Sequence, residues 1–275
     1  MTAHDILRTA LFVPASRPER FAKALASGAD AVIIDLEDAV APDAKALARE
    51  NIRQFAAANP EARFLVRAND AGSAWFADDL RACAALPQAA TLVLPKAESA
   101  QQVASAAAAG KPVLPLIESA RGLGELDAIA AAPHVERLTF GALDLMLDLG
   151  ATPDTPGATL ILNDVRCRVL IASRQHGLAA PLDTIYPDFG DAEGLASAAR
   201  LSHDMGFCGM LCIHPKQVPV VHRAFAPSAA QAEWARRVVE QAHATGASAF
   251  KLDGRMIDRP VIERARRVLE LAARS

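Results

Sequence analysis

Short apolar runs rich in Val, Ile and Leu recur along the chain, each followed by an amphipathic stretch rich in Ala, Arg and Glu. That alternation predicts βα units around a parallel sheet. The predicted strands cover residues 11–15, 31–36, 64–67, 91–95, 113–117, 137–141, 182–186 and 209–213, with helices such as 17–26, 43–58 and 99–109 between them. The run Ala31-Val32-Ile33-Ile34 is apolar without alternation, as a strand buried on both faces must be. Pro42 and Asp43 open the second helix, where a missing N–H is tolerated and a carboxylate is favoured. Eight such units closing on themselves predict an α/β, TIM-like (β/α)8 barrel.

From Pro227 the rhythm changes. A helix over 229–243, a turn at Gly246, a bend through Lys251-Leu252-Asp253-Gly254 and a last helix from 259 or 260 to 273 are expected, with Asp258 as N-cap and Pro260 in the first turn. This is more than an eighth barrel helix requires. The expected division is a barrel over 1–226 and a C-terminal helical arm or lid over 227–275 that packs on a neighbouring subunit.

A length of 275 residues suits one such barrel, and 52% hydrophobic with 22% charged residues is ordinary for a soluble α/β protein. The net charge of −3, without a Lys/Arg cluster, argues against nucleic acid and anionic membranes as partners. The first residues lack the apolar stretch of a secretory leader and no 18-residue apolar run occurs, so a cytoplasmic protein acting on small molecules is expected. Cys83, Cys167, Cys208 and Cys212 are irregularly spaced, which disfavours a disulfide framework; Cys208 and Cys212 flank Gly209-Met210-Leu211 and read as core positions. The seven histidines form no zinc-binding pair.

Active sites in barrels of this kind form at the C-terminal strand ends. Here those ends are polar: Ser16-Arg17, Asp35-Leu36-Glu37-Asp38, Arg67-Ala68-Asn69, Lys96, Glu118-Ser119, Asp144, Asp183 with Tyr186, and His214. Glu37, Asp38, Glu118 and Asp144 would crowd carboxylates into one mouth, which favours a bound cation. Carboxylate oxygens without His or thiolate suit Mg²⁺, and Glu118 and Asp144, at the ends of successive strands, form the natural ligand pair. Ion pairs with Arg67, Lys96 or Arg121 are the alternative account of those two carboxylates.

The segments Leu11-Phe12-Val13-Pro14, Asp35-Leu36-Glu37-Asp38-Ala39-Val40, Val66-Arg67-Ala68-Asn69 and Leu94-Pro95-Lys96 form one half of a larger pattern. Ile117-Glu118-Ser119-Ala120-Arg121-Gly122, Gly141-Ala142-Leu143-Asp144, Ile213-His214-Pro215-Lys216-Gln217 and Met256-Ile257-Asp258 complete it in order. Together they resemble the HpcH/HpaI aldolase and citrate lyase superfamily, in its citrate lyase β-subunit-like branch. One position departs, since Ala15 stands where many members have Gly.

The resemblance implies an enzyme, a Mg²⁺-dependent carbon–carbon lyase acting on a 3-hydroxyacyl-CoA thioester such as malyl-CoA or citryl-CoA. A malyl-CoA thioesterase, an aldolase on free hydroxy-oxo acids and a citrate lyase complex subunit served by an acyl carrier protein are its alternatives. It implies Mg²⁺, or Mn²⁺ in its place, on Glu118 and Asp144, and a 2-oxo acid carboxylate cradled by the backbone of Gly141, Ala142 and Leu143. Arg67 would hold the thioester or oxo-acid oxygen, while Asp35, Glu37 and Asp38 support metal waters and position Arg67 or Lys96. Pro14, Arg17, Lys23 and His214 would meet coenzyme A. Asp258 would reach the site of an adjacent subunit as proton donor or acceptor, in a homotrimer or dimer of trimers.

Overall fold

The computed structural model describes residues 7–246 and 249–273. Eight strands form one all-parallel sheet: β1 (Thr9–Pro14), β2 (Ala31–Asp35), β3 (Phe64–Arg67), β4 (Ala89–Leu94), β5 (Val113–Ile117), β6 (Thr139–Phe140), β7 (Leu182–Asp183) and β8 (Gly209–Cys212). Their order, β6-β5-β4-β3-β2-β1-β8-β7, bends the sheet into a barrel. The seam between β6 and β7 has no strand ladder. It is bridged by Leu182 N donating to Leu138 O at 3.1 Å and by Ala142 N donating to Thr184 Oγ1 at 3.0 Å.

Inward-facing Ala10, Ile33, Leu65, Val93, Leu114, Leu116, Leu182 and Leu211 fill the interior, so the barrel is a packed core rather than a pore. Outward-facing neighbours such as Leu11, Val32, Ile34 and Val66 are buried as well, under the surrounding helices. This two-sided burial is why the strands read as continuous apolar runs. At Gly209 a Cβ would lie 2.2 Å from Leu7 O, so only glycine lets β8 approach the strand that starts the chain.

The helices of this unit are α1 (Phe21–Leu25), α2 (Lys45–Ala58), α3 (Phe76–Ala84), α4 (Ala100–Ala107), α5 (Ala120–Gly124) and α6 (Leu126–Ala130), then α7 (Ala142–Asp148), α8 (Pro156–Gln175), α9 (Ala192–Met205) and α10 (Gln217–Phe225). The expected helices 17–26 and 43–58 each begin with a 3-10 turn, Pro18–Arg20 and Pro42–Ala44, before the α-helix proper. The predicted strand 182–186 stops at Asp183, because the Thr184 N–H turns to the Asp183 carboxylate instead of a neighbouring strand. Cys212 is buried at the end of β8, as expected of a core position.

The chain divides into two compact units, 1–224 and 225–275. In the second, α11 (Ala229–Thr245) starts with a capping box, Ser228 with Gln231, and α12 (Arg259–Ala272) is capped by Asp258, whose Oδ1 accepts from Val261 N. Ala235, Val238, Ile257, Ile262 and Ala265 form its small core. The expected bend at 251–254 is instead the turn of a hairpin, β9 (Phe250–Leu252) against β10 (Arg255–Ile257). Asp253 and Gly254 both have positive φ, 49° and 80°, the backbone that an Asp-Gly hairpin turn favours. Among the described residues no helix is long and apolar enough to cross a membrane.

Candidate active site at the barrel mouth

A cavity of about 390 Å³ opens at the C-terminal ends of the strands. Its lining combines the charged Asp35, Asp38, Arg67, Glu118 and Asp144 with the apolar Phe12, Leu116, Ile185, Leu211 and Ile213. Pro14, Ala39, Thr184 and the Gly141-Ala142-Leu143 segment complete the lining.

Arg67, the last residue of β3, is the most constrained group there. Its Nε and Nη2 donate to the two oxygens of Asp35 at 2.7 and 2.8 Å, while Nη1 lies 2.9 Å from Glu37 Oε2 and 3.4 Å from Asp38 Oδ2. The fork geometry suits a bidentate carboxylate, and Phe12 adds a ring face 4.8 Å from the guanidinium. Asp35 also accepts from Glu37 N and Ala39 N, so its oxygens are saturated. Asp35 thus makes the contact with Arg67 expected of it and folds the strand-two loop. Lys45, which the sequence reading passed over, holds the same loop from below through Leu36 O and Glu37 O.

Glu37 and Lys96 do not line the cavity. Glu37 is buried behind Arg67 and receives the Lys96 ammonium at 2.9 Å. Burial pushes the Glu37 carboxyl up, with Arg67 and Lys96 working against the rise. Lys96 contributes in a second way. In the left-handed conformation, φ 47°, it turns its N–H onto Glu118 Oε1 at 2.8 Å. Glu37 and Lys96 thus hold each other and touch the cavity residues Arg67 and Glu118.

Glu118 follows β5 and is only 4% exposed. Burial pushes its carboxyl up to about 8, and the nearby carboxylates of Glu37 and Asp144 add to the rise. Asp144 sits in the first turn of α7. Neither forms an ion pair among the described residues: Arg67 is committed to the strand-two loop, Lys96 to Glu37, and Arg121 reaches only Glu98, at 4.0 Å. The ion-pair explanation of these carboxylates is thereby set aside. Two hard-oxygen ligands with a surplus of negative charge fit Mg²⁺, which takes few protein ligands and keeps waters. Gly141 makes the arrangement possible, because a Cβ there would lie 2.4 Å from Glu118 Oε2.

The expected carboxylate cradle is narrower than three amides. Gly141 N donates to Ile117 O and Ala142 N to Thr184 Oγ1, which leaves Leu143. Thr184 itself was missed; its one signal was its place just after a strand. Asp183 points away from the cavity, buried against Arg166 and Ser202, and Tyr186 donates to Asp191. Pro14 lines the cavity, whereas Arg17, Lys23 and His214 lie outside it. Arg17 is exposed beside Glu19, Lys23 is exposed on α1, and His214 stacks on Phe189 with ring centroids 4.8 Å apart. The Ala15 methyl is fully buried. Asp258 belongs to the second unit, where it is half-buried at the start of α12.

An acid-rich, partly apolar mouth on a parallel (β/α)8 barrel, with two carboxylates that form no ion pair among the described residues, is a site that a divalent cation fits. The chain belongs to the HpcH/HpaI aldolase/citrate lyase family, whose sequence model matches residues 8–215. It is 43% identical over 265 residues to a citrate lyase subunit beta-like protein of Mycobacterium tuberculosis, covering 95% of this chain and 94% of the relative. A (3S)-malyl-CoA thioesterase of Cereibacter sphaeroides is 35% identical over 275 residues, covering 96% and 94%. The crystal structure of CitE from M. tuberculosis in complex with magnesium, acetoacetate and coenzyme A superposes with a TM-score of 0.86 at 40% identity, covering 98% of each chain.

Proposed function

We propose that the protein is a Mg²⁺-dependent carbon–carbon lyase that cleaves, or forms, a 3-hydroxyacyl-CoA thioester such as malyl-CoA or citryl-CoA, with acetyl-CoA and a 2-oxo acid as the other side of the reaction. The observation that carries this reading is one cavity holding two carboxylates without a cation partner among the described residues, Glu118 and Asp144, beside an arginine fixed by three others. The magnesium, acetoacetate and coenzyme A of the M. tuberculosis CitE complex support it.

Glu118 and Asp144 would hold Mg²⁺, with Mn²⁺ as a substitute, and the ion would supply Lewis-acid polarisation of the substrate oxygen. Arg67 spends Nε and one Nη2 proton on Asp35 and an Nη1 proton on Asp38, with Glu37 at ion-pair distance from Nη1, and the second Nη2 proton would serve the oxygen where charge develops. Because three carboxylates fix its plane, Arg67 needs little reorganisation as the bond breaks. During cleavage the hydroxyl would pass its proton to solvent water and become the oxo group, the Cα–Cβ bonding pair would become the enolate of the acetyl thioester, and the enolate carbon would take a proton from Asp258 on the arm of a neighbouring copy, which solvent then reprotonates. The Leu143 N–H would hold the acid. Pro14, Arg17, Lys23 and His214 would bind the coenzyme A portion along the rim.

The thioesterase name of the C. sphaeroides relative favours a second reading, attack of water on the thioester in the same site. Product analysis with malyl-, methylmalyl- and citryl-CoA in Mg²⁺ separates the two. Acetyl-CoA (propionyl-CoA from methylmalyl-CoA) with a free oxo acid establishes the lyase; coenzyme A with the intact hydroxy acid establishes the hydrolase.

A further inference from the structure

Thr184 stands at the mouth end of β7, lines the cavity and is only 4% exposed. Its backbone is fixed from behind: the Thr184 N–H donates to Asp183 Oδ1 at 2.8 Å, and Asp183 is itself locked by Arg166 Nε at 2.8 Å and by the Ser202 hydroxyl. Its Oγ1 accepts from Ala142 N at 3.0 Å, across the β6–β7 seam and beside the turn that carries Asp144. A hydroxyl has one proton to give. With Ala142 directed at its lone pair, that proton has no acceptor among the described residues, and the cavity is the space it faces.

We propose that Thr184 is a substrate-binding residue that donates its hydroxyl proton to the carboxylate of the 2-oxo acid. It thereby stands in for the Ala142 amide that it covers. The inference rests on the reading of the cavity as a Mg²⁺ and oxo-acid site. It adds to that reading a donor set made of one hydroxyl and the Leu143 N–H in place of three successive amides.

The test is calorimetric, with pyruvate and glyoxylate as probes, and reads binding rather than turnover. Wild type, Thr184→Ser, Thr184→Val and Thr184→Ala are titrated first with Mg²⁺ alone and then with each acid at saturating Mg²⁺. Mg²⁺ affinity should be unchanged throughout. Acid affinity should fall by about tenfold to a hundredfold in Thr184→Val and Thr184→Ala, as for one lost hydrogen bond to a charged group, and stay within about threefold in Thr184→Ser. Should the valine variant fail to fold, the alanine variant carries the same comparison. Wild type binding acid in a Mg²⁺-dependent way, with a folded hydroxyl-free variant equal to it, overturns the role of Thr184 alone. A wild type that binds neither acid in Mg²⁺ overturns the underlying reading and this role with it.

Discussion

Glu118 holds its pose only because residue 141 has no side chain: a Cβ on Gly141 would lie 2.4 Å from Glu118 Oε2 and 3.0 Å from Glu118 Cβ. Gly141→Ala should therefore displace the carboxylate while the barrel stays folded. Mg²⁺ affinity is expected to fall by about tenfold to a hundredfold, the range for losing a group that orients a ligand. Calorimetry with thermal melting checks both halves of the prediction.

Arg67 is pinned by Asp35, Glu37 and Asp38, and a lysine keeps the charge but not the fork. Arg67→Lys should lower kcat/KM by roughly 10²–10³ while leaving Mg²⁺ binding near wild type. Arg67→Met is the contrasting variant. It leaves the buried Asp35 without its cation and Glu37 with Lys96 alone, and denaturant unfolding should show a loss of about 3–5 kcal/mol.

The opposite end of the barrel carries a stability determinant. Asp30 accepts from Arg8 N and Thr9 N and lies 3.1 Å from His222 Nε2, tying the starts of β1 and β2 to α10. Burial raises its pKa, but the hydrogen bonds from His222 and Arg8 outweigh burial and hold the carboxyl at about 2 rather than 3.8. A folded pKa below the unfolded one means stability that is complete above the unfolded pKa and lost as pH falls through the folded pKa. Asp30→Asn should cost roughly 1–3 kcal/mol at neutral pH, and the gap to wild type should narrow between about pH 4 and pH 2. Urea unfolding across that range measures it.

The arm proposal separates from a merely structural tail by complementation. Asp258→Asn and Arg67→Lys should each be nearly inactive. If Asp258 serves a neighbouring copy, mixing the two after subunit exchange should restore about a quarter of wild-type sites. A mixture that stays inactive assigns both residues to the same chain's site, or Asp258 to its helix cap alone.

The barrel was legible because its strands are buried on both faces and its polar residues collect where strands end. Runs such as Ala31-Val32-Ile33-Ile34 carry that information locally. Strand β7 was overdrawn because the side chain of Asp183 captures the next amide, a contact no hydropathy pattern records. The hairpin at 250–257 was passed over although Asp253-Gly254 carries the turn signal. Glu118 and Asp144 stand out in the sequence by charge crowding at successive strand ends, and the absence of an ion pair to either among the described residues is what the three-dimensional contacts added. For Asp35 the sequence shows its charge but not the one arginine fork and two amides that engage its oxygens. Thr184 was missed for the complementary reason: a lone threonine becomes informative only once Ala142 is seen donating to it.

The central claim is that Glu118 and Asp144 together bind the Mg²⁺ on which carbon–carbon cleavage depends. The most direct measurement compares acetyl-CoA release from malyl-CoA by wild type and by the Glu118→Ala/Asp144→Ala double variant, each with Mg²⁺ and with excess chelator. The account predicts release by wild type in Mg²⁺, none in chelator, and none from the folded double variant under either condition. Equal release by wild type in chelator, or Mg²⁺-dependent release by the double variant, would contradict it.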